Sequence, residues 1–198
     1  KNVVLLMTAL VTWLLPLKIC MEKINILHIY QNSKIGGVQQ QLFSLLKTYN
    51  REVFNPFFCC LGPKEEMGKE IEGIGIDCIP LNRRYNRFSL KIVKDLHRLM
   101  KKKHIHIVRT HRYRSNLYGR LAAFLTGVPV IVASVHDNYR TDKRPARRMI
   151  NRILSIMTDK IVAVSEDVKK DIIRYDKIEL SKKEVIPNGI EVERFKQK

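Results

Sequence analysis

Acidic residues are scarce in this chain of 198 residues, in which 19 Asp and Glu stand against 37 Lys and Arg. The formal net charge is therefore +18 and the pI is about 10.0. Such an excess predicts an anionic partner, which nucleic acid, an acidic membrane surface or a phosphorylated substrate would each satisfy. Aromatic residues reach only 8%, and no helix-turn-helix, RNP or zinc-knuckle pattern is present. Nucleic acid is therefore the least favoured of the three.

The sequence also lacks the motifs that would fix a familiar chemistry. The four cysteines show no CxxC spacing, and Cys59 and Cys60 are neighbours on an expected strand, so they would point to opposite faces. We interpret the cysteines as small buried apolar residues of a reducing compartment. His104 and His106 would share one face, but no further ligands accompany them, so we predict no metal site. Neither a Ser-His-Asp order nor a nucleophile elbow supports covalent catalysis.

An apolar run over residues 3–19 stands apart from the rest of the chain. It reaches the lower limit for spanning a bilayer, so residues 1–20 form an apolar leader that is either a short membrane anchor or mis-assigned upstream sequence. Met21 is followed at once by the charged Glu22 and Lys23 and then by the first strand, which is typical of a cytoplasmic start. The chain length favours one large domain, which we place at residues 21–190.

The stretch from Ile24 to Tyr49 predicts a strand, a polar loop and a helix. Branched residues suit the strand, Gly36 and Gly37 end the loop, and apolar residues then recur at helical spacing. Glycines at such a turn let a ligand approach the backbone, and the helix N-terminus offers N–H groups to an anion. Because the motif is not GxGxxG, a dinucleotide is weakly supported, and a tight turn without any ligand explains the stretch equally well.

Strands and helices continue to alternate along the chain. We predict further strands at residues 53–61, 76–81, 106–110, 128–135, 161–164 and 184–186. Ser89, Ser115 and Ser165 are predicted to cap helices, and Gly127 to end one. Short loops between alternating elements imply an α/β fold with a doubly wound, mostly parallel, Rossmann-like sheet. Ligands bind such sheets at the carboxyl ends of the strands. We therefore expect five loops that follow strands to lie together at one edge of the sheet: residues 32–37, 111–115, 136–140, 165–166 and 188–189.

Several short motifs occur in a fixed order across residues 23–195. Gly36-Gly37-Val38-Gln39 comes first and is followed by Thr110-His111 and Val135-His136-Asp137; Val164-Ser165-Glu166 and Ile186-Pro187-Asn188-Gly189 come last. No single motif is specific. Together, and in this order, they resemble the N-terminal half of the GT-B glycosyltransferases of family 4.

The resemblance implies two Rossmann-like domains that face each other across a cleft, with the acceptor held mainly by the N-terminal one. It implies a retaining, metal-independent transfer of a sugar from a nucleotide-sugar to a glycan or lipid-linked acceptor, with the donor as co-substrate and no cofactor. Residues 191–198 would begin the interdomain linker. A C-terminal donor domain or a separate donor subunit would be a required partner, and the chain alone is expected to be inactive. The alternative is a non-catalytic Rossmann module that binds a carbohydrate or a protein partner.

The resemblance also assigns a first group of site residues. Gly36 and Gly37 match the glycine loop that the family lays against donor phosphate or acceptor. Gln39 stands where the family usually has Glu; it keeps the hydrogen-bonding reach but has no acid/base role, and the alternative is a solvent-facing side chain. His136 matches a histidine that the family places beside the reacting sugar. A neutral imidazole there would hydrogen-bond a sugar hydroxyl or stabilise the positive charge that develops on the sugar. The alternative is that His136 simply ends a strand and has no functional role.

Five further residues are substrate-binding candidates. His111 ends a strand where it would line the acceptor cleft, and Arg112 would meet a phosphate unless it belongs to a solvated basic loop. Ser165 and Glu166 match a Ser-Glu pair of the family, although a helix cap also explains them. Asn188 matches the turn that leads into the linker.

Residues 140–152 form the densest of several basic clusters. This segment precedes and enters an amphipathic helix that carries Met149, Ile150 and Ile153. A basic amphipathic helix suits an anionic membrane surface, and the resemblance implies membrane-bound or lipid-linked acceptors. We therefore expect a cytoplasmic protein that associates peripherally with the inner face of the cell membrane; a solvated basic face is the alternative.

Overall fold

Seven strands alternate with helices along the described part of the chain. The computed structural model describes residues 23–34, 36–85, 87–136, 145–176, 178, 180–187 and 189. The strands are β1 (Ile24–Tyr30), β2 (Phe54–Cys60), β3 (Cys78–Pro80), β4 (Ile107–His111), β5 (Val130–Val135), β6 (Lys160–Ala163) and β7 (Lys183–Val185). The helices are α1 (Gly37–Lys47), α2 (Glu66–Gly73), α3 (Leu90–Lys102), α4 (Arg112–Thr126), α5 (Pro145–Ile156) and α6 (Glu166–Asp171), with a π-helical turn at Ile172–Asp176 and a 3-10 turn at Leu180–Lys182. The apolar leader at residues 1–20, with Cys20, and the segment 191–198 lie outside the described residues.

All seven strands run parallel in one sheet, in the order β3-β2-β1-β4-β5-β6-β7. This confirms the predicted doubly wound α/β fold. The first six strands follow the order of the Rossmann fold, whose ligands bind where the strand order reverses, between β1 and β4. The predicted strand ends differ from the observed ones by one or two residues only.

Each face of the sheet carries its own apolar core. Helices α1 and α2 cover one face through Leu42, Leu46, Met67 and Ile71. Helices α3 and α4 cover the other face, where buried side chains include Ile92, Leu96, Met100, Tyr118 and Ala122. Cys59 and Cys60 lie in opposite cores, as their adjacency predicts, and Cys59, Cys60 and Cys78 are all buried free thiols. None of the described helices combines the length and apolar character that crossing a bilayer would require.

Helix α4 begins directly where β4 ends, and here the sequence-based prediction is wrong. Ser115 does not cap the helix but lies fully buried inside it, because α4 starts at Arg112 with His111 as its N-cap. Arg112 adopts a left-handed φ of 66°, which is strained for a residue with a side chain and turns strand into helix without a loop. Gly127 ends α4 at a φ of 73°, as predicted.

A buried polar network fastens α4 to α5 and to the π-helical turn. Arg120 is only 1% exposed, and its guanidinium donates to the carbonyl of Asn116 at 3.0 Å and to Oγ1 of Thr158 at 3.4 Å. It also donates to Oδ1 of Asn151, whose amide nitrogen donates to the carboxylate of Asp176. Asn151 therefore bridges a buried cation and a buried anion from separate elements.

Candidate functional site

The carboxyl edge of the sheet brings most of the predicted site residues together. Strands β1, β4, β5 and β6 are adjacent in the sheet. The glycine loop follows β1, His111 ends β4 and is followed by Arg112, His136 follows β5, and Ser165 and Glu166 come shortly after β6. This edge spans the reversal of strand order at which open α/β sheets bind their ligands. Asn188 lies outside the described residues.

The two glycines of the loop after β1 differ in the space around them: Gly36 is crowded by a neighbouring side chain, whereas Gly37 is not. A Cβ on Gly36 would lie 2.7 Å from Oε1 of Gln39, so the glycine there makes room for that side chain. Gln39 is 7% exposed and donates to Oδ1 of Asn32 at 3.1 Å, so the solvent-facing alternative for Gln39 is wrong. A Cβ on Gly37 would meet nothing within 4 Å. Gly37 is therefore where a ligand has room to approach the start of α1.

A row of hydrogen-bonded rings runs inward from His136. Nε2 of His136 lies 3.2 Å from Nδ1 of His111, and Nε2 of His111 lies 3.2 Å from Nδ1 of His28. Nε2 of His28 lies 3.0 Å from the hydroxyl of Tyr49. We call His136, His111, His28 and Tyr49 the histidine row. It runs from the residue after β5, through β4 and β1, to the second residue after α1.

Strand register explains why these side chains meet. His28 on β1 pairs with Arg109 on β4, and His111 on β4 pairs with Ser134 on β5. Side chains at paired positions of a parallel sheet share a face, and residues two apart on one strand share it too. His28, Arg109, His111 and Ser134 therefore stand on one face of the sheet, and His136 continues it two residues beyond Ser134.

The two inner histidines of the row are neutral and lie beside a buried positive charge. His28 is fully buried and His111 is 2% exposed. Burial lowers the pKa of both imidazoles well below the ordinary value, and the Arg109 charge lowers it further. The Arg109 guanidinium donates from Nε to Oγ of Ser134 at 3.0 Å and hydrogen-bonds the hydroxyl of Tyr49. Burial raises the pKa of Tyr49, so that hydroxyl keeps its proton at neutral pH.

This burial changes the role that His111 has in the structure. The sequence predicts that His111 lines the acceptor cleft, yet its ring lies behind His136 and contacts His28 and His136. His136, which is only partly buried, is the outermost histidine of the row. His136 therefore lies between His111 and the outer edge of the site, and a contact of His111 with a ligand stays a prediction.

The remaining candidates on this edge have ordinary structural partners. Ser165 accepts a hydrogen bond from the N–H of Val168 at 3.2 Å, so it caps α6 as predicted. Glu166 is exposed and pairs with Lys169 at 4.0 Å. Arg112 is partly exposed and holds the left-handed turn between β4 and α4. A substrate contact of these three residues stays a prediction.

Sequence reasoning missed the inner members of this site. His28 sits within the apolar strand β1, Tyr49 reads as one more apolar position of α1, and Arg109 resembles one basic residue among many. The available signal was a shared face, since Arg109 and His111 are two apart on a strand that also carries polar Thr110. Across the described residues no group of three or more His, Cys, Asp or Glu side chains is placed to hold a metal ion.

Comparison with known proteins places the fold in a family. The family model of Glycosyltransferase Family 4 matches residues 35–194. An Escherichia coli UDP-Gal:alpha-D-GlcNAc-diphosphoundecaprenol alpha-1,3-galactosyltransferase is 26% identical over 182 residues, which cover 88% of this chain and 47% of that protein. The capsular polysaccharide biosynthesis glycosyltransferase CapH of Staphylococcus aureus is 24% identical over 180 residues, which cover 85% of this chain and 48% of CapH.

Solved structures share the same architecture. HepE of Anabaena, crystallised with UDP and glucose, superposes with a TM-score of 0.70 at 15% identity, over 85% of this chain and 45% of HepE. The chain thus spans about half the length of the curated relatives it matches. Since the family model matches most of the chain, from the glycine loop to residue 194, this chain belongs to glycosyltransferase family 4.

Proposed function

We propose that this chain forms the acceptor-side wall of a GT-B glycosyltransferase cleft, in an enzyme that moves a sugar from a nucleotide-sugar to a glycan or lipid-linked acceptor. One observation carries the proposal: the open glycine at the start of α1 and the outermost histidine of the row lie on the same carboxyl edge, two strands apart. The relatives' names agree with it, because the E. coli relative is named for transfer from UDP-Gal to a diphosphoundecaprenol-linked GlcNAc.

The start of α1 supports a phosphate-bearing ligand. The first N–H groups of a helix have no partner within the helix and carry a partial positive charge. No acidic residue stands in the first turn of α1 to satisfy them, and Gly37 leaves space for a ligand beside them. We assign this position to a phosphate of the nucleotide-sugar or of a diphosphate-linked acceptor.

We further propose that the transfer is retaining and uses neither a metal nor a cofactor. His136 would act as a neutral imidazole that hydrogen-bonds a sugar hydroxyl or steadies the positive charge that develops on the sugar. The neutral rings behind it support this role, because a protonated row beside the buried Arg109 charge would be strongly unfavourable.

Sugar transfer is the direct test of this function. The chain is expressed alone and together with its flanking coding sequence, then incubated with UDP-sugars and a diphosphoundecaprenol-linked GlcNAc acceptor, with and without EDTA. We expect transfer with retained anomeric configuration from the longer protein, an unchanged rate in EDTA, and no transfer from the 198 residues alone. Carbohydrate binding without turnover by the longer protein would instead identify a non-catalytic binding module.

We also propose that α5 docks the protein on an anionic membrane surface at the cytoplasmic face. Met149, Ile153 and Ile156 are 59%, 53% and 78% exposed, so α5 presents an apolar strip to solvent. Exposed Arg152 lies beside this strip, and Lys182 reaches the α5 carbonyls of Ser155 and Ile156. Apolar insertion flanked by cations matches the boundary between acyl chains and anionic headgroups.

Vesicle binding is expected to depend on the α5 strip. A protein that starts at Met21 should bind vesicles containing phosphatidylglycerol at moderate salt, and the double change Ile153→Ser and Ile156→Ser should weaken binding by about tenfold or more, because apolar area is lost. The matched control changes Phe124 and Leu125 of α4, which are 56% and 59% exposed, to serine and should leave binding nearly unchanged. Absence of binding by the unchanged protein would remove the membrane proposal.

A further inference from the structure

The histidine row has a direction that its hydrogen bonds determine. A neutral imidazole donates from one nitrogen and accepts at the other, so the three histidines must all donate the same way along the row. Either each ring donates toward His136, or each ring donates toward Tyr49. The two directions place the proton of His136 on different nitrogens. The direction therefore decides whether Nδ1 of His136 is a hydrogen-bond donor or an acceptor.

Tyr49 and Arg109 decide between the two directions. The Arg109 guanidinium, which only donates, hydrogen-bonds the Tyr49 oxygen, so that oxygen is already an acceptor. If Tyr49 then donates its O–H to Nε2 of His28, every hydrogen bond in the row has one donor and one acceptor. In the opposite direction the Tyr49 oxygen would accept from both Arg109 and His28, and its own proton would need a further acceptor.

The buried charge favours the same direction. When Tyr49 donates to His28, the O–H and N–H dipoles turn their negative ends toward the Arg109 cation and their positive ends toward His136. Charge and dipoles attract strongly in the low dielectric of the interior, and aligned hydrogen bonds polarise one another. The row therefore transmits part of the Arg109 positive charge toward the outer edge of the sheet.

We propose that His111 and His28, with Tyr49 and Arg109 behind them, are positioning residues that hold His136 as its Nδ1–H tautomer in a fixed ring orientation. His136 then accepts from His111 at Nε2 and carries its proton at Nδ1, an atom with almost no exposed surface in this structure. A ligand oxygen that reached this atom on binding, from a phosphate or a sugar hydroxyl, would meet a polarised donor. The catalytic meaning of this inference rests on the proposed glycosyltransferase function, whereas the tautomer itself does not.

The tautomers are measured by long-range proton–nitrogen NMR correlations on the 198-residue chain labelled with ¹⁵N-histidine, at a pH above 7. Protonated and unprotonated ring nitrogens have well-separated ¹⁵N shifts, so each ring is assigned directly. We expect the Nδ1–H form for His28, His111 and His136. An Nε2–H form at any of these three rings overturns the proposal.

Tyr49→Phe tests the direction independently, because it removes the hydroxyl proton that begins the row. We expect His28, His111 and His136 to shift together, wholly or partly, to the Nε2–H form; unchanged tautomers overturn the role of Tyr49 in setting the direction. Tyr118→Phe is the matched control, since Tyr118 is buried like Tyr49 but donates its hydroxyl proton to the Arg87 carbonyl, outside the row. This control should leave all three tautomers unchanged, even if both variants lower stability alike.

Turnover of the longer protein separates this inference from the proposed function. Tyr49→Phe should lower kcat about threefold or more with little change in KM, whereas Tyr118→Phe should leave both nearly unchanged. If the longer protein has no transferase activity but the tautomers are as expected, the proposed function fails and the directed row stands. If it is active and Tyr49→Phe leaves kcat unchanged, the positioning role is overturned.

Discussion

If the proposed function holds, replacing His136 with alanine is expected to lower the kcat of sugar transfer by the longer protein by more than about tenfold, the lower range for losing a positioned polar group. His136 is the outermost member of the histidine row and sits on the edge where open α/β sheets bind their ligands. Alanine removes the imidazole but keeps the strand end in place. Steady-state kinetics with a nucleotide-sugar and a lipid-linked acceptor measure the effect, which should fall on kcat more than on KM.

His97→Ala is the control for this variant. His97 is also partly buried and hydrogen-bonds Oγ1 of Thr126 at 2.9 Å, but it belongs to α3 and meets the end of α4 just before β5 begins, at the opposite edge of the sheet. It should retain nearly the full rate. A rate for His136→Ala that equals the rate of this control would remove His136 from the site.

Replacing Arg120 with alanine is expected to lower the free energy of unfolding by about 3–5 kcal/mol, the range for breaking a buried charged network by removing one partner. The change leaves Oδ1 of Asn151 without its guanidinium donor and removes the cation that faces the 1% exposed Asp176 through Asn151. It also opens a cavity between α4, α5 and the π-helical turn. Urea unfolding of the 198-residue chain, followed by circular dichroism, gives the difference.

Arg98→Ala provides a matched surface control. Arg98 lies within α3 and is exposed, so the same substitution there should change the free energy of unfolding by no more than about 0.5 kcal/mol. Arg120→Met, which keeps most of the side-chain volume, should remain strongly destabilising because the charge and the donors are still lost. A loss below about 1 kcal/mol for Arg120→Ala would show that the network contributes little.

The fold was predictable because its signals are local. Most strands are short runs rich in branched or aromatic residues, the longer helices repeat apolar residues at helical spacing, and glycine or serine marks several of the boundaries. Ser165 and Gly127 act as their local sequence predicts. Ser115 does not, because the junction between β4 and α4 has no loop, and nothing in the sequence indicates that Arg112 takes a left-handed conformation.

Only the outer residues of the candidate site, His136 and the glycine loop, were predictable from the sequence. His136 and the glycine loop follow strands directly, so the sheet topology alone places them on one edge. The histidine row depends on pairing between β1, β4 and β5, and on the position of Tyr49 after α1, which are long-range properties. His28 and Arg109 therefore looked like isolated polar residues in apolar strands until the register brought them together.

The central position of β1 has a consequence for biosynthesis. Asn25 and His106 are 81 residues apart in sequence and hydrogen-bond each other across β1 and β4. At the usual speed of translation, the β4 side of β1 stays unpaired for on the order of ten seconds after β1 has been made. During that time an apolar strand with one open edge is exposed to other chains. The strand at the centre of the described sheet is thus also the one that waits longest for its second neighbour while the protein is being made.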